Sequence, residues 1–284
     1  MQTDIRIVEC PRDAMQGLHD FIPTHSKIEY LNSLLKVGFD TLDCGSFVSP
    51  KAVPQMADTA EVLAGLQVEE SHTKLLVIVA NRRGAEDACA QEKVGILGYP
   101  FSISDTFQQR NTGRSLEASV PLVDEIFALA KASNKELVIY LSMGFGNPYG
   151  DPWSPDIAAH WAAHFAGMGV RTIALADTVG TAKPEAVASL FETLIPRFPE
   201  VTFGAHFHAS PDMRLPKIKA AWDSGCRRFD SAMLGFGGCP FAEDELVGNI
   251  ATESLLDFCA GQGIQTGLDA GAFAASARIA RTIF

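Results

Sequence analysis

Eight short runs of apolar, largely β-branched residues recur along the chain, at positions 5–9, 41–44, 75–80, 94–97, 137–142, 172–176, 202–206 and 228–233. Each has the length of a strand, and longer amphipathic stretches separate most of them. Residues 27–37 place Ile28, Leu31, Leu34 and Leu35 on one helical face, and residues 120–132 do the same with Leu122, Val123, Ile126, Leu129 and Ala130. Ser154-Pro155 and Ser210-Pro211 read as helix starts, a capping hydroxyl before a proline at the first helical position. One strand–helix unit per about 35 residues is the repeat of an eight-fold β/α barrel, which takes about 250 residues. The expected fold is therefore α/β: a single TIM-barrel domain over residues 1–284 with additional C-terminal helices. The competing open doubly wound sheet would place GxGxxG directly after the first strand, where this chain has none.

A barrel puts its chemistry at the strand ends, so composition matters mainly for what can bind there. Lys and Arg number 23 against 34 Asp and Glu, a net charge of −11. That balance argues against a nucleic-acid surface, which needs clustered cations, yet allows a local basic pocket for an anionic substrate. The N-terminal MQTDIRIVEC lacks the basic segment and apolar run of a signal peptide, and the longest apolar runs fall far short of the ~20 residues of a membrane helix. The six cysteines are scattered without a CxxC pair, which points to reduced thiols and a cytoplasmic setting.

The polar residues at the strand ends are the candidate site. Pro11-Arg12-Asp13-Ala14-Met15-Gln16 follows strand one, and its charged pair faces the barrel mouth or forms an ordinary ion pair. Asp43 stands inside apolar strand two, where a lone carboxylate is costly, and Arg12 is its natural partner. Ser46 follows in the same segment. Strand five ends in Tyr140-Leu141-Ser142 and strand six in Asp177-Thr178, with Thr178 read as a cap for the next helix. His206 and His208, two apart on strand seven, point to one face and converge as metal ligands would. His160 and His164 sit four apart on an outer helix among aromatic residues and are read as packing. Gly235-Phe236-Gly237-Gly238-Cys239-Pro240 is a Gly-rich loop carrying a thiol suited to proton transfer or nucleophilic attack, or an ordinary turn with a bystander cysteine. Asn249 offers a neutral oxygen to a metal, or caps the last barrel helix.

These segments together resemble the hydroxymethylglutaryl-CoA lyase family, metal-dependent lyases with an Arg-Asp motif on a TIM barrel. PRDAMQ, SFVSPKAVPQMAD, ADTVGTAKP, HFH, GFGGCPFA and GNIATE follow in the family's order over nearly the whole chain. The resemblance implies that Asp13, His206, His208 and Asn249 bind a divalent cation, Mg²⁺ or Mn²⁺. It implies Arg12 as stabiliser of an enolate oxygen, Cys239 as the acid that protonates the acetyl-CoA enolate, and Asp13 or a water as proton acceptor. Gln16, Asp43, Ser46, Tyr140, Ser142 and Asp177 are expected to join Arg12 in binding substrate. The expected activity is retro-aldol cleavage of a 3-hydroxy-3-methylglutaryl-CoA-like thioester to acetyl-CoA and a 3-oxo acid, in a homodimer. Lys51, Arg82 and Arg83 are candidates for the phosphates of CoA.

The sequence also departs from the family. PRDAMQGL stands where PRDGLQNE is usual, Asp43 where a Glu is usual, and Ala209 where an Asp usually follows the His-x-His. Glu9-Cys10-Pro11 is one residue shorter than the family's segment, and residues 143–149 read MGFGNPY for its CALGCPY. These differences keep open a different branched 3-hydroxyacyl-CoA, a 2-oxo-acid aldolase or carboligase on the same barrel, and a paralogue that binds without turnover. The related synthases normally carry long C-terminal extensions, and this chain ends at Phe284, which weighs against a synthase.

Overall fold

The computed structural model describes residues 4–237 and 247–284. Its eight strands are β1 (Arg6–Glu9), β2 (Thr41–Ser46), β3 (Lys74–Ile78), β4 (Val94–Ser102), β5 (Glu136–Ser142), β6 (Thr172–Asp177), β7 (Thr202–Phe207) and β8 (Arg228–Ser231). All neighbours pair in parallel, and β1 also pairs with β8, with Val8 opposite Asp230, so the sheet closes into a barrel. Each of the eight expected apolar runs is one of these strands.

Eleven α-helices are found among the described residues. They are α1 (Pro11–Gln16), α2 (Thr24–Leu35), α3 (Thr59–Ala64), α4 (Arg82–Cys89), α5 (Asp105–Thr112), α6 (Leu116–Ala132), α7 (Pro155–Met168), α8 (Pro184–Arg197), α9 (Pro211–Asp223), α10 (Thr252–Gln262) and α11 (Ala270–Ile283). Alternate residues of each strand face the helices and build the outer core, as Leu97, Tyr99 and Phe101 do from β4. The expected capping at Ser154 is present, its hydroxyl accepting from Ile157 N at 3.3 Å. Ser210 occupies the corresponding position of α9, but its side chain makes no capping hydrogen bond to the helix backbone. No helix of the described residues is long and apolar enough to cross a membrane.

The barrel interior is divided. Leu76, Ile78, Ile96, Val138, Tyr140 and Ala174, from β3 to β6, form an apolar cluster. Asp43, His206, Arg228 and Asp230, from β2, β7 and β8, are buried on the other side. Burying that many charges is tolerable only if they pair with one another. That requirement sets the geometry of the site.

Candidate active site

The strand β1 runs into α1 with only Cys10 between them, and Pro11 fixes the first helical φ. This sharp entry places Arg12 and Asp13 at the C-terminal mouth of the barrel, both almost fully buried. Arg12 Nε donates to both oxygens of Asp43 at 3.1 Å, and Nη2 donates to Oδ2 at 2.5 Å. The partner expected for Asp43 is thus the one it has. Arg12 Nη1 donates to Asp13 Oδ1 at 3.1 Å and to Gln16 Oε1 at 2.8 Å. A guanidinium has five N–H groups. One N–H on Nη2 is left over by these contacts. Burial disfavours the Arg12 charge, but Asp43 and Asp13 outweigh it and hold the cation more firmly than usual.

Asp13 accepts from Gln16 Nε2 at 2.7 Å and, through its other oxygen, from Asn249 Nδ2 at 2.7 Å. Burial would raise its pKa. Arg12, then the two histidines, and the Asn249 hydrogen bond hold it at about 2. A carboxylate held that low is better suited to ligating a cation than to accepting a proton. His206 and His208 lie on β7 and immediately after it, with ring centroids 5.4 Å apart. Burial pushes the His208 imidazole down to about 4, which keeps it neutral, as a ligand must be. One ligand atom each from Asp13, His206 and His208 lies within 4.8 Å of the others, all buried. One carboxylate and two imidazoles, with the amide oxygen of Asn249 on the residue that bonds Asp13, fit a divalent cation.

A cavity of about 330 Å³ opens over this cluster. Arg12, Asp13, His206 and His208 line it on one side, and Gln16, Ser46, Tyr140 and Ser142 contribute further polar groups. Two of the expected substrate contacts lie elsewhere. Asp43 is fully buried beneath Arg12, and Asp177 is taken up by Lys217, whose Nζ donates to Oδ2 at 2.5 Å. Thr178 does not cap a helix: its hydroxyl accepts from Met143 N at 2.8 Å, and it lines the cavity. Nor does Asn249 cap α10, which begins at Thr252 after Ala251. Lys51, Arg82 and Arg83 are exposed and do not line the cavity; Arg82 pairs with Glu86 at 2.9 Å. His160 and His164 stack edge-on against Trp161 on α7, as packing residues. Cys239 lies outside the described residues.

Four buried residues escaped the sequence reading. Glu9 sits at the end of β1, where Met233 N donates to its Oε1 and Thr252 Oγ1 lies 2.6 Å from its Oε2. Lys217 also donates to His208 O at 3.0 Å and so holds the end of β7. Arg228 and Asp230 form a 2.7 Å pair inside the barrel. The available signal was a charge in phase with the inward positions of a strand, as in Arg228-Phe229-Asp230.

A family model described as HMGL-like matches residues 5–279. The chain belongs to the HMGL-like family. It is 35% identical to a mitochondrial hydroxymethylglutaryl-CoA lyase of Bos taurus, over 98% of this chain and 87% of that one. It is 32% identical to an (R)-citramalyl-CoA lyase of Chloroflexus aurantiacus, over 94% of this chain and 86% of the other. Among solved structures, an HMG-CoA lyase from A. baumannii in complex with coenzyme A and 3-methylmalate superposes with a TM-score of 0.91 at 31% identity. That match covers 98% of this chain and 90% of the other. The HMGL-like chain is thus a hydroxymethylglutaryl-CoA-lyase-like member of a group of carbon–carbon lyases that act on CoA thioesters.

Proposed function

We propose that the chain cleaves 3-hydroxy-3-methylglutaryl-CoA, or a close branched 3-hydroxyacyl-CoA, to acetyl-CoA and a 3-oxo acid, acetoacetate in the first case. The observation that carries this reading is the buried Asp13, His206 and His208 cluster beside a guanidinium with one N–H to spare. Those three residues and Asn249 would hold a divalent cation, Mg²⁺ or Mn²⁺. Such a cation, when bound, supplies Lewis acidity that favours loss of the proton from the tertiary hydroxyl.

The rest is work for the chain's own groups. Breaking the carbon–carbon bond sends an electron pair onto the thioester carbonyl, and the free N–H of Arg12 stabilises the oxygen as it becomes an enolate. Asp43 keeps the guanidinium in place for that contact. Gln16 holds both Arg12 and Asp13 and cannot turn fully toward substrate without releasing them. Ser46, Tyr140 and Ser142 are among the polar groups of the cavity wall that can orient the acyl chain. Cys239 is the proton donor to the acetyl-CoA enolate on the strength of the family resemblance, since an ordinary thiol titrates near pH 8.5 and can deliver a proton near neutrality. On the same resemblance the chain works as a homodimer, and its dispersed thiols favour the cytoplasm.

The similarity to the (R)-citramalyl-CoA lyase supports a second reading, in which the acyl group differs. A panel of branched 3-hydroxyacyl-CoA thioesters, assayed for acetyl-CoA release with the cation varied, separates the two. The first reading requires 3-hydroxy-3-methylglutaryl-CoA, or a close homologue that also yields a 3-oxo acid, to have the highest kcat/KM, and citramalyl-CoA leading would favour the second. Cys239→Ser is expected to lower kcat at unchanged Mn²⁺ affinity.

A further inference from the structure

Below the cation cluster lies a charged pair for which the proposed reaction has no use. Arg228 and Asp230 are two apart on β8, so both side chains turn into the barrel, and both are buried. Their neighbours in register on β7 are Gly204 and His206. A Cβ on Gly204 would stand 2.6 Å from Arg228 Nη1, so the missing side chain is the space the guanidinium fills. From there Nη1 donates to Asp230 Oδ1 at 2.7 Å, and Asp230 Oδ2 lies 3.1 Å from His206 Nδ1. Replacing a buried ion pair with apolar residues of similar volume often costs nothing in stability. A role in orienting a neighbour accounts for it better.

An ionised carboxylate, as the partner of a guanidinium, can only accept. Its contact with Nδ1 therefore puts the ring proton there and leaves the lone pair on Nε2. We infer that Asp230 is a positioning residue that fixes the tautomer and orientation of His206, and that Arg228 fixes Asp230 in turn. This rests on reading Asp13, His206 and His208 as a cation site. Cys10, His206 and Asp230 also bring ligand atoms within 4.8 Å of one another. They do not suit a second cation, because Asp230 is already engaged by Arg228, whose charge opposes one.

The arrangement makes an unusual prediction for Asp230→Asn. Arg228 can only donate, so it keeps the amide oxygen and turns the NH₂ toward His206. Nδ1 must then accept, and the proton moves to Nε2, the nitrogen the cation needs. Adding Arg228→Met frees the amide to turn its oxygen back to Nδ1. The test is nitrogen-edited NMR of the histidine rings in metal-free protein at alkaline pH, with Mn²⁺ affinity measured by calorimetry. The wild type is expected to carry the proton on Nδ1. Asp230→Asn should carry it on Nε2 and bind Mn²⁺ roughly 10–100-fold more weakly, and the double variant should recover part of the loss. A wild-type ring with its proton on Nε2 overturns the inference, as does folded Asp230→Asn that binds Mn²⁺ like the wild type. A double variant no tighter than Asp230→Asn removes Arg228 from the account. If the variants do not fold, the wild-type tautomer decides. Failure of the wild type to bind Mn²⁺ refutes the cation-site reading instead, which keeps the two failures distinct.

Discussion

Asn249 and Asp13 are 236 residues apart in the chain, and the Asn249 amide donates to the Asp13 carboxylate at 2.7 Å. The same amide nitrogen donates to Phe236 O at 2.9 Å. One side chain therefore ties the first helix of the barrel to both flanks of the stretch between Phe236 and Asn249. Any group inserted at this junction should be felt at the cation cluster.

Gly237 is the residue that leaves the junction open. A Cβ there would meet Asn249 Nδ2 at 2.5 Å and Asp13 O at 2.9 Å, and the backbone φ of +105° already disfavours a side chain. Gly237→Ala is expected to lower Mn²⁺ affinity and kcat/KM about tenfold or more, as displaced ligand supports do elsewhere. Calorimetry and steady-state kinetics check this, and wild-type affinity would contradict it.

Removing the carboxylate of Asp43 leaves Arg12 buried beside Asp13 alone. Asp43→Ala is expected to destabilise the fold by about 3–5 kcal/mol, the usual cost of leaving a buried charge without its partner. Urea denaturation measures the loss. The surviving protein should also be nearly inactive, because the guanidinium is free to turn away from the substrate carbonyl.

Glu9 gives the stability a pH dependence. Burial is the largest influence on its carboxyl and, against the Thr252 and Met233 hydrogen bonds, pushes it up to about 8 from an ordinary value of 4.5. Between those values the folded state binds the proton and the unfolded chain does not, so stability falls as pH rises through that window. Glu9→Gln mimics the protonated form, with an oxygen for Met233 and an NH₂ for Thr252. Its melting temperature should exceed that of the wild type by a few degrees at about pH 9 and converge with it near pH 4. Melts across pH check the slope, and parallel curves for the two proteins would contradict the assignment.

The barrel was legible in the sequence because its signal is periodic and repeated. An apolar strand such as 75–80 cannot be hidden by one polar neighbour, and eight of them at even spacing leave few topologies. The Arg12–Asp43 pair was legible for a similar reason, since a carboxylate in an apolar strand demands a cation. Asp177 was not: its demand is met by Lys217 from α9, 40 residues on, and nothing local announces that reach. Thr178 was misread as a cap, and a cap stayed open as one reading of Asn249, because Thr and Asn before a helix usually are caps. Here Met143 N and Asp13, both distant in sequence, claim the side chains first. Arg228 and Asp230 were passed over because a charged strand end reads as solvent-facing until closure of the barrel against β1 puts it inside.

The most direct test of the account is acetyl-CoA release from 3-hydroxy-3-methylglutaryl-CoA by the purified protein, with and without Mg²⁺ or Mn²⁺, beside His206→Ala. The account predicts release that requires the cation and collapses in the variant. No release from this or any other branched 3-hydroxyacyl-CoA, or equal release after the cation is chelated away, would contradict it.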